Sequence, residues 1–137
     1  MKELAIIGTT ASGKTALSLE IANKTNSIIL SLDSLCVYKE IDIASAKPTK
    51  IERGDIVHFG IDEVFPNEKF DVIEFLNLYK NAKEYAEKNM KNLIIVGGTG
   101  FYLKALVDGI SDGLKKNTNL DMSLNEAYNL LYSLDKD

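Results

Sequence analysis

Cysteine and arginine are almost absent from this sequence, which contains one of each, Cys36 and Arg53. A single cysteine excludes an internal disulfide and a metal cluster built from cysteine thiolates. The other basic residues, out of 16 in total, are lysines, and the net charge is −4. Because binding to nucleic-acid phosphates normally requires a basic surface, this balance argues against strong nucleic-acid binding by the chain alone.

Long apolar runs are also lacking. No apolar segment is long enough to cross a membrane, and the short run Leu4–Ile7 leads directly into a glycine-rich turn, unlike a signal peptide. Together with the lone cysteine, this pattern predicts a cytoplasmic protein without a membrane association. The 137 residues, 45% of them apolar, fit one globular domain that buries about two-thirds of its unfolded surface.

Predicted strands and helices alternate along the chain. We predict strands over 4–7, 27–32 and 93–96, with a further short strand inside 56–61. We predict helices over 15–24, from Asp71 to about 91, over about 101–107, and from a capping box at Ser123 and Glu126. The longest helix begins at a second capping box, Asp71 and Glu74, and Ile73, Leu76 and Tyr79 are spaced for an apolar face.

This alternation predicts the α/β class with a parallel sheet, and together with the glycine-rich loop at 8–15, described next, it predicts a P-loop NTPase-like three-layer α/β/α fold. Three strands make a small sheet for that architecture, and no strand follows the last predicted helix. We therefore expect an incomplete sheet, in a chain that is truncated or that needs a partner to complete it.

A phosphate-binding motif follows the first predicted strand. Residues 8–15, Gly-Thr-Thr-Ala-Ser-Gly-Lys-Thr, match the pattern G-x-x-x-x-G-K-[ST] between a strand and a helix. Backbone N–H groups of such a loop and the helix N-terminus bind phosphate, Lys14 adds a positive charge, and the Thr15 hydroxyl suits Mg²⁺. The alternative is an ordinary glycine-rich turn, and the motif does not identify the phosphate compound.

One further position is expected at the same edge of the sheet. Asp33 ends the second predicted strand, where a carboxylate can hold Mg²⁺ through water or accept a proton. The plain structural alternative is a turn residue, since Asp-Ser commonly opens a turn. Thr99 follows the third strand within Gly97–Gly100, where the pattern alone predicts a tight turn with Thr as helix cap.

Three blocks of sequence carry a more specific indication. They are the loop Gly-x-Thr-Ala-Ser-Gly-Lys-Thr over 8–15, the stretch Asp33-Ser34-x-x-Val37-Tyr38-Lys39 with Asp42-Ile43 and Ala46-Lys47-Pro48, and Val96-Gly97-Gly98-Thr99-Gly100-Phe101-Tyr102-Leu103-Lys104-Ala105-Leu106. In this order, over 8–106, they resemble the tRNA dimethylallyltransferase family. The sequence departs from that family at Leu35-Cys36, where Arg-Gln or Met-Gln is common, and at His58, which replaces a His-His pair.

The resemblance implies transfer of a dimethylallyl group from its diphosphate to N6 of the adenosine 3′ of the tRNA anticodon. It implies that Asp33 is the general base and that Thr99 lies beside the base and the donor. The diphosphate-binding residues would be Gly8, Thr10, Ala11, Ser12, Gly13, Lys14 and Thr15, with Mg²⁺ as cofactor at Thr15. The tRNA contacts would be Asp33, Ser34, Leu35, Cys36 and Thr99.

The resemblance also implies that residues 1–137 are a P-loop catalytic core without the later parts of the family. Those parts supply further sheet, an active-site arginine and a basic, helical tRNA-binding region, which would explain the acidic balance. The expected partners are tRNA and dimethylallyl diphosphate, and no stable protein partner is predicted.

Other functions and roles remain open at this point. A small P-loop kinase usually has several arginines to hold the transferred phosphoryl group, whereas this chain has one. A non-catalytic nucleotide-binding fragment and an isopentenyltransferase acting on free adenine nucleotides are further alternatives. Lys47 is interpreted as a solvated loop lysine rather than a phosphate contact, Cys36 as inert, and His58, Tyr79 and Tyr85 as structural.

Overall fold

The computed structural model describes residues 1–9, 12–33, 35–41, 47–98 and 104. Within them one parallel sheet contains four strands in the order β1-β4-β2-β3. The strands are β1 (Glu3–Ile7), β2 (Ser27–Ser31), β3 (His58–Phe59) and β4 (Asn92–Gly97). The helices are α1 (Lys14–Thr25), α2 (Lys50–Arg53) and α3 (Val72–Lys88).

The apolar runs form strands because both faces of the sheet are covered. Successive side chains of a strand point to opposite faces, so a strand buried on both sides is apolar throughout. One face packs against α1 through Leu4, Ile6, Ile21, Ala22, Ile29, Ile94 and Val96. The other face packs against α3 through Ile28, Leu30, Leu32, Phe75, Tyr79, Ala82, Ala86, Leu93 and Ile95. The predicted three-layer α/β/α arrangement is therefore confirmed.

The predicted strands and α1 are confirmed with boundaries that differ by one residue at most, apart from the short strand expected inside 56–61. That segment contributes only His58 and Phe59, which pair with Ile29 and Leu30 of β2. The helices predicted over 101–107 and from Ser123 lie outside the described residues.

The long helix α3 begins as predicted and ends earlier. The Asp71 carboxylate accepts hydrogen bonds from the N–H groups of Ile73 (2.9 Å) and Glu74 (3.0 Å), and the Glu74 carboxylate accepts one from the Asp71 N–H (2.9 Å). The helix ends at Lys88 rather than near residue 91, because Met90 takes a positive φ of 53° in the turn into β4. A helix that continued to residue 91 would leave no residues for the turn before β4 begins at Asn92.

The buried face of α3 differs from the predicted one. It consists of Phe75, Tyr79, Ala82 and Ala86, at helical spacings of four, three and four. Ile73 points away from it and is 65% exposed. The Tyr79 hydroxyl donates a hydrogen bond of 2.8 Å to the Glu3 carboxylate, and this contact joins α3 to β1.

The short helix α2 is absent from the prediction although its sequence carries a cap. The Thr49 hydroxyl accepts a hydrogen bond from the Glu52 N–H, and the Glu52 carboxylate accepts one from the Thr49 N–H. None of the helices in the described segments has both the length and the apolarity needed to cross a membrane.

Candidate active site

The loop between β1 and α1 has the geometry of a phosphate-binding turn in its described parts. The Gly8 N–H donates a hydrogen bond of 3.2 Å to the Gly97 carbonyl oxygen of β4, and the Ser12 N–H donates one of 3.3 Å to Thr9. Gly13 has a φ of 85° and precedes α1 without a side-chain cap. The first N–H groups of α1 are therefore free of a capping side chain and can bind an anion.

The two functional side chains of the motif begin α1. The Lys14 ammonium donates a hydrogen bond of 2.6 Å to the Thr9 carbonyl oxygen, so it lies across the loop. Gly8 makes room for this arrangement, because a Cβ there would lie 3.0 Å from the Ser12 hydroxyl and 3.5 Å from the Lys14 Cδ. The Thr15 carbonyl accepts from Ser18 (2.7 Å), while the Thr15 hydroxyl has no protein partner among the described residues.

Asp33 follows the end of β2 and is exposed at the carboxyl edge of the sheet. Its Oδ1 accepts a hydrogen bond of 2.9 Å from the Leu35 N–H, and its own N–H donates one of 3.3 Å to the Ser31 hydroxyl. The first contact closes an Asx turn, which fixes the side chain relative to the backbone that follows. The turn alternative and the functional interpretation are thus compatible at this position.

The strand order brings the described parts of the three sequence blocks to one edge. β4 lies between β1 and β2, and Ile7 and Ser31 are in register with Gly97 and Val96. The Leu32 N–H donates a hydrogen bond of 2.7 Å to the Val96 carbonyl oxygen. The phosphate loop, Gly97-Gly98 and Asp33 consequently lie at the carboxyl ends of three adjacent strands, where α/β proteins bind ligands.

Gly97 allows this close approach. A Cβ at this position would overlap the Cβ of Leu32 and come within 3.1 Å of its Cγ. Among the residues that the structure describes, a Cβ at Gly98 would meet the Gly8 carbonyl oxygen alone, at 3.9 Å. The first glycine of the pair is required for packing, and the second lies over the phosphate loop.

The two residues that depart from the family pattern lie in different environments. Leu35 is 45% exposed, next to Asp33, whereas Cys36 is 5% exposed. Burial, and next the nearby Asp33 carboxylate, raise the pKa of the Cys36 thiol to about 11. A buried, protonated thiol is unreactive, and its side chain is not presented to a macromolecule.

Lys47 is buried, so its interpretation as a solvated loop lysine is wrong. Its side chain is 4% exposed. The ammonium donates hydrogen bonds to the Tyr38 carbonyl oxygen (2.7 Å) and to the Asp62 carboxylate (2.5 Å). Sequence reasoning could not find this pair, because Lys47 and Asp62 are distant in sequence and neither belongs to a local motif.

His58 and the two tyrosines have structural surroundings. The Nδ1–H group of His58 donates a hydrogen bond of 2.9 Å to the Ile56 carbonyl oxygen, and burial is the main cause that lowers the His58 pKa. Tyr85 packs edge-on against Phe59, with 5.7 Å between ring centroids, and Tyr79 is buried in the core. These positions agree with the predicted structural roles.

Four of the predicted site residues lie outside the described residues: Thr10, Ala11, Ser34 and Thr99. Among the residues that the structure does describe, no group of three or more His, Cys, Asp or Glu side chains could hold a metal ion. Mg²⁺ commonly takes one or two protein oxygens together with substrate phosphates. The Thr15 hydroxyl fits that kind of donor set.

Comparisons with known proteins agree on one family. Residues 36–136 match the family model described as IPP transferase. The chain is 76% identical to a tRNA dimethylallyltransferase of Aliarcobacter butzleri, over 99% of this chain and 47% of that protein. It spans about half the length of the curated relatives it matches.

Solved structures give the same result for the fold. The full-length tRNA isopentenylpyrophosphate transferase of Bacillus halodurans matches with a TM-score of 0.73 and 26% identity, over 98% of this chain and 55% of that one. A eukaryotic dimethylallyltransferase acting on tRNA matches with a TM-score of 0.71 and 33% identity, over 100% of this chain and 37% of that one.

Proposed function

The chain belongs to the IPP transferase family, and from this premise we propose that residues 1–137 form the P-loop core of an enzyme that prenylates tRNA. The reaction is transfer of a dimethylallyl group from dimethylallyl diphosphate to N6 of the adenosine 3′ of the anticodon. The observation that supports this proposal most is the meeting of three sequence blocks at one sheet edge. Gly8 bonds to Gly97, and Leu32, next to Asp33, bonds to Val96.

The phosphate loop binds the diphosphate of the prenyl donor. Its proposed ligands are the backbone N–H groups of 10, 11 and 13–15, together with the Lys14 ammonium. Gly8 and Ser12 shape the loop instead, because their N–H groups already donate to Gly97 and Thr9. The positive φ of Gly13 and the uncapped N-terminus of α1 support this role. Negative charge that develops on the leaving pyrophosphate is then met by groups that are already in position.

Mg²⁺ is the proposed cofactor, with the Thr15 hydroxyl as the protein oxygen that holds it. Thr15 lies on the first turn of α1, directly after Lys14, and its hydroxyl would hold the ion. When bound, the ion supplies neutralisation of the charge on the leaving pyrophosphate. Asp33, on the neighbouring strand end, offers a carboxylate that can act through water.

Asp33 is the proposed general base. The exocyclic nitrogen of adenine forms a bond to the allylic carbon, the carbon–oxygen bond to the diphosphate breaks, and a proton passes from the nitrogen to Asp33. Adenine N6 is a poor nucleophile, so much of the acceleration comes from holding the amine against the allylic carbon. The Asx turn at Leu35 supports a fixed carboxylate.

The macromolecular partner proposed is tRNA, and its target base must leave the stack to reach the edge of the sheet. Extrusion costs a few kcal/mol and favours a loop nucleotide. Asp33, Ser34, Leu35 and Thr99 are the proposed contacts of the base and its neighbours. The exposure of Leu35 beside Asp33 supports its proposed contact with tRNA. Cys36 is buried and is not proposed as a contact.

The proposal is tested by donor binding with Lys14 removed. Calorimetry with Mg²⁺ and a non-hydrolysable analogue of dimethylallyl diphosphate should show tighter binding than ATP to the full-length protein. Lys14→Ala should weaken analogue binding by about 100-fold, since a charge-assisted contact to phosphate contributes about 3 kcal/mol. The far-UV circular dichroism spectrum should not change.

Lys24→Ala is the matched control, because it removes the same charge from the exposed end of the same helix, where Lys24 pairs with Glu20 at 2.9 Å. Its analogue affinity should equal that of the wild type. Tighter binding of ATP than of the analogue would favour a kinase or a nucleotide-binding module. Equal affinity of Lys14→Ala and wild type for the analogue would contradict the proposal that the phosphate loop binds the diphosphate.

A further inference from the structure

The backbone after Asp33 holds the catalytic carboxylate, and a second segment fastens that backbone. We define the Asp33 turn as 35–39 and the facing strap as 62–64. The turn is joined to Asp33 by the Leu35 N–H on its Oδ1 (2.9 Å) and by the Cys36 N–H on its carbonyl oxygen (3.2 Å). Any movement of the turn therefore moves the Asp33 side chain.

The strap pairs with the turn as a short irregular ladder. The N–H groups of Asp62, Glu63 and Val64 donate to Cys36 and Val37 carbonyl oxygens at 3.0, 2.8 and 3.1 Å. The Lys39 N–H donates to the Val64 carbonyl oxygen at 2.8 Å, and Tyr38 and Val64 form an isolated parallel bridge. Neither segment belongs to the sheet, so this ladder must be stabilised in another way.

Lys47 joins the two segments through one buried ammonium. It donates to the Tyr38 carbonyl oxygen of the turn (2.7 Å) and to the Asp62 carboxylate of the strap (2.5 Å). Asp62 has a positive φ of 54°, and Arg53 lies 3.9 Å from its other oxygen. A buried charge that is held by hydrogen bonds has a strong preference for its observed geometry, because a departure from it weakens those bonds.

From this geometry we propose that Lys47 is a positioning residue, which fixes the Asp33 turn against the strap and so aims the Asp33 carboxylate at the reacting amine. This inference rests on the proposed function, since it assigns Asp33 the role of base. It does not require Lys47 to contact substrate. Lys47 acts through the Tyr38 carbonyl oxygen and the turn.

The test uses Lys47→Met in the full-length protein, with kinetics and thermal unfolding measured together. A small misplacement of a catalytic group lowers turnover by about 100-fold, so kcat for dimethylallyl transfer should fall by that order. The KM for dimethylallyl diphosphate should not change, because the phosphate loop is intact. Lys83→Met is the matched control, since it removes another partly buried ion pair, with Glu3 at 3.1 Å, on a different element.

The double variant Lys47→Met/Asp62→Asn separates positioning from stability. It leaves no carboxylate without its lysine partner, and Asn tolerates the positive φ of residue 62. The Asp62 side chain is 36% exposed, so the charge lost there is small and the unfolding temperature should recover in part. The Tyr38 carbonyl oxygen still lacks its donor, so kcat should stay low. Recovery of kcat together with stability would overturn the inference, and so would a wild-type kcat in Lys47→Met.

Hydrogen exchange gives a second result that does not depend on activity. In Lys47→Met the amides of Leu35, Tyr38 and Lys39 should exchange faster, while those in the middle of α3 keep their wild-type rates. Unchanged protection of the turn would overturn the inference even if the wild-type protein transfers no dimethylallyl group. A wild type that is inactive, with a turn that loosens in the variant, would instead count against the proposed function alone.

Discussion

Single residues decide how closely β2 and β4 approach each other at the edge of the site. Leu32 packs directly over Gly97, and its N–H bonds to the Val96 carbonyl oxygen. Asp33 is the next residue along the chain. The distance between the phosphate loop and the proposed base therefore depends on the absence of a side chain at position 97.

Gly97→Ala is expected to destabilise the fold and disturb the site together. The added methyl group overlaps Leu32, and overpacking of this kind costs about 1–3 kcal/mol. Urea denaturation gives the free energy of unfolding. Gly98→Ala is the control, because its Cβ has an ordinary 3.9 Å contact and should alter stability by less than about 0.5 kcal/mol. Equal stability of the two variants would contradict this account of Gly97.

Individual residues also differ in whether their surroundings could be predicted from the sequence. Lys14 and Thr15 belong to a contiguous motif whose local geometry follows from its own glycines, so their placement was predictable. The surroundings of Lys47 and Cys36 depend on a strap more than twenty residues after Cys36, and no local pattern marks it. The acidic partner of Lys47 became apparent only in the folded chain.

Among the elements, α3 packs against one face of the sheet, and its first residue was the most clearly predicted helix boundary. Asp71 and Glu74 exchange hydrogen bonds at the first turn. Phe75 and Tyr79 follow directly and are buried in the core. Removal of the capping hydrogen bonds would therefore disturb the packing of the α3 face that supports β2 and β4.

Asp71→Ala should lower the free energy of unfolding by about 1 kcal/mol, because it removes the acceptor of two backbone N–H groups. Asp71→Asn keeps an acceptor oxygen and should lose much less. Chemical denaturation of both variants gives the comparison. Identical losses for Ala and Asn would show that the cap contributes through charge rather than through the hydrogen bonds.

The end of α3 and the helix α2 show where element prediction fails. The apolar and charged spacing continues toward residue 91, but the turn at Asn89 and Met90 is imposed by the entry into β4, through a Lys91 N–H bond of 2.8 Å to Ala86. Helix α2 has a complete cap but only four residues and no buried side chain. Its periodicity is too short to distinguish it from a loop.

For the molecule as a whole, the sheet order explains why distant blocks of sequence act together. β4 is inserted between β1 and β2, so residues near 8, 33 and 97 become neighbours at one edge. Alternation of strands and helices predicted the parallel sheet and its site edge, because both follow from general rules. The strand order itself depends on packing that the sequence pattern does not encode.

The central claim is that this edge transfers a prenyl group to tRNA, and a single-turnover transfer assay tests it most directly. Full-length protein would be mixed with Mg²⁺, labelled dimethylallyl diphosphate and an anticodon stem-loop. The account predicts label on N6 of the adenosine 3′ of the anticodon, and a rate reduced by about 100-fold or more in Asp33→Asn with unchanged donor affinity. Absence of transfer by the wild type, or a wild-type rate in Asp33→Asn, would contradict it.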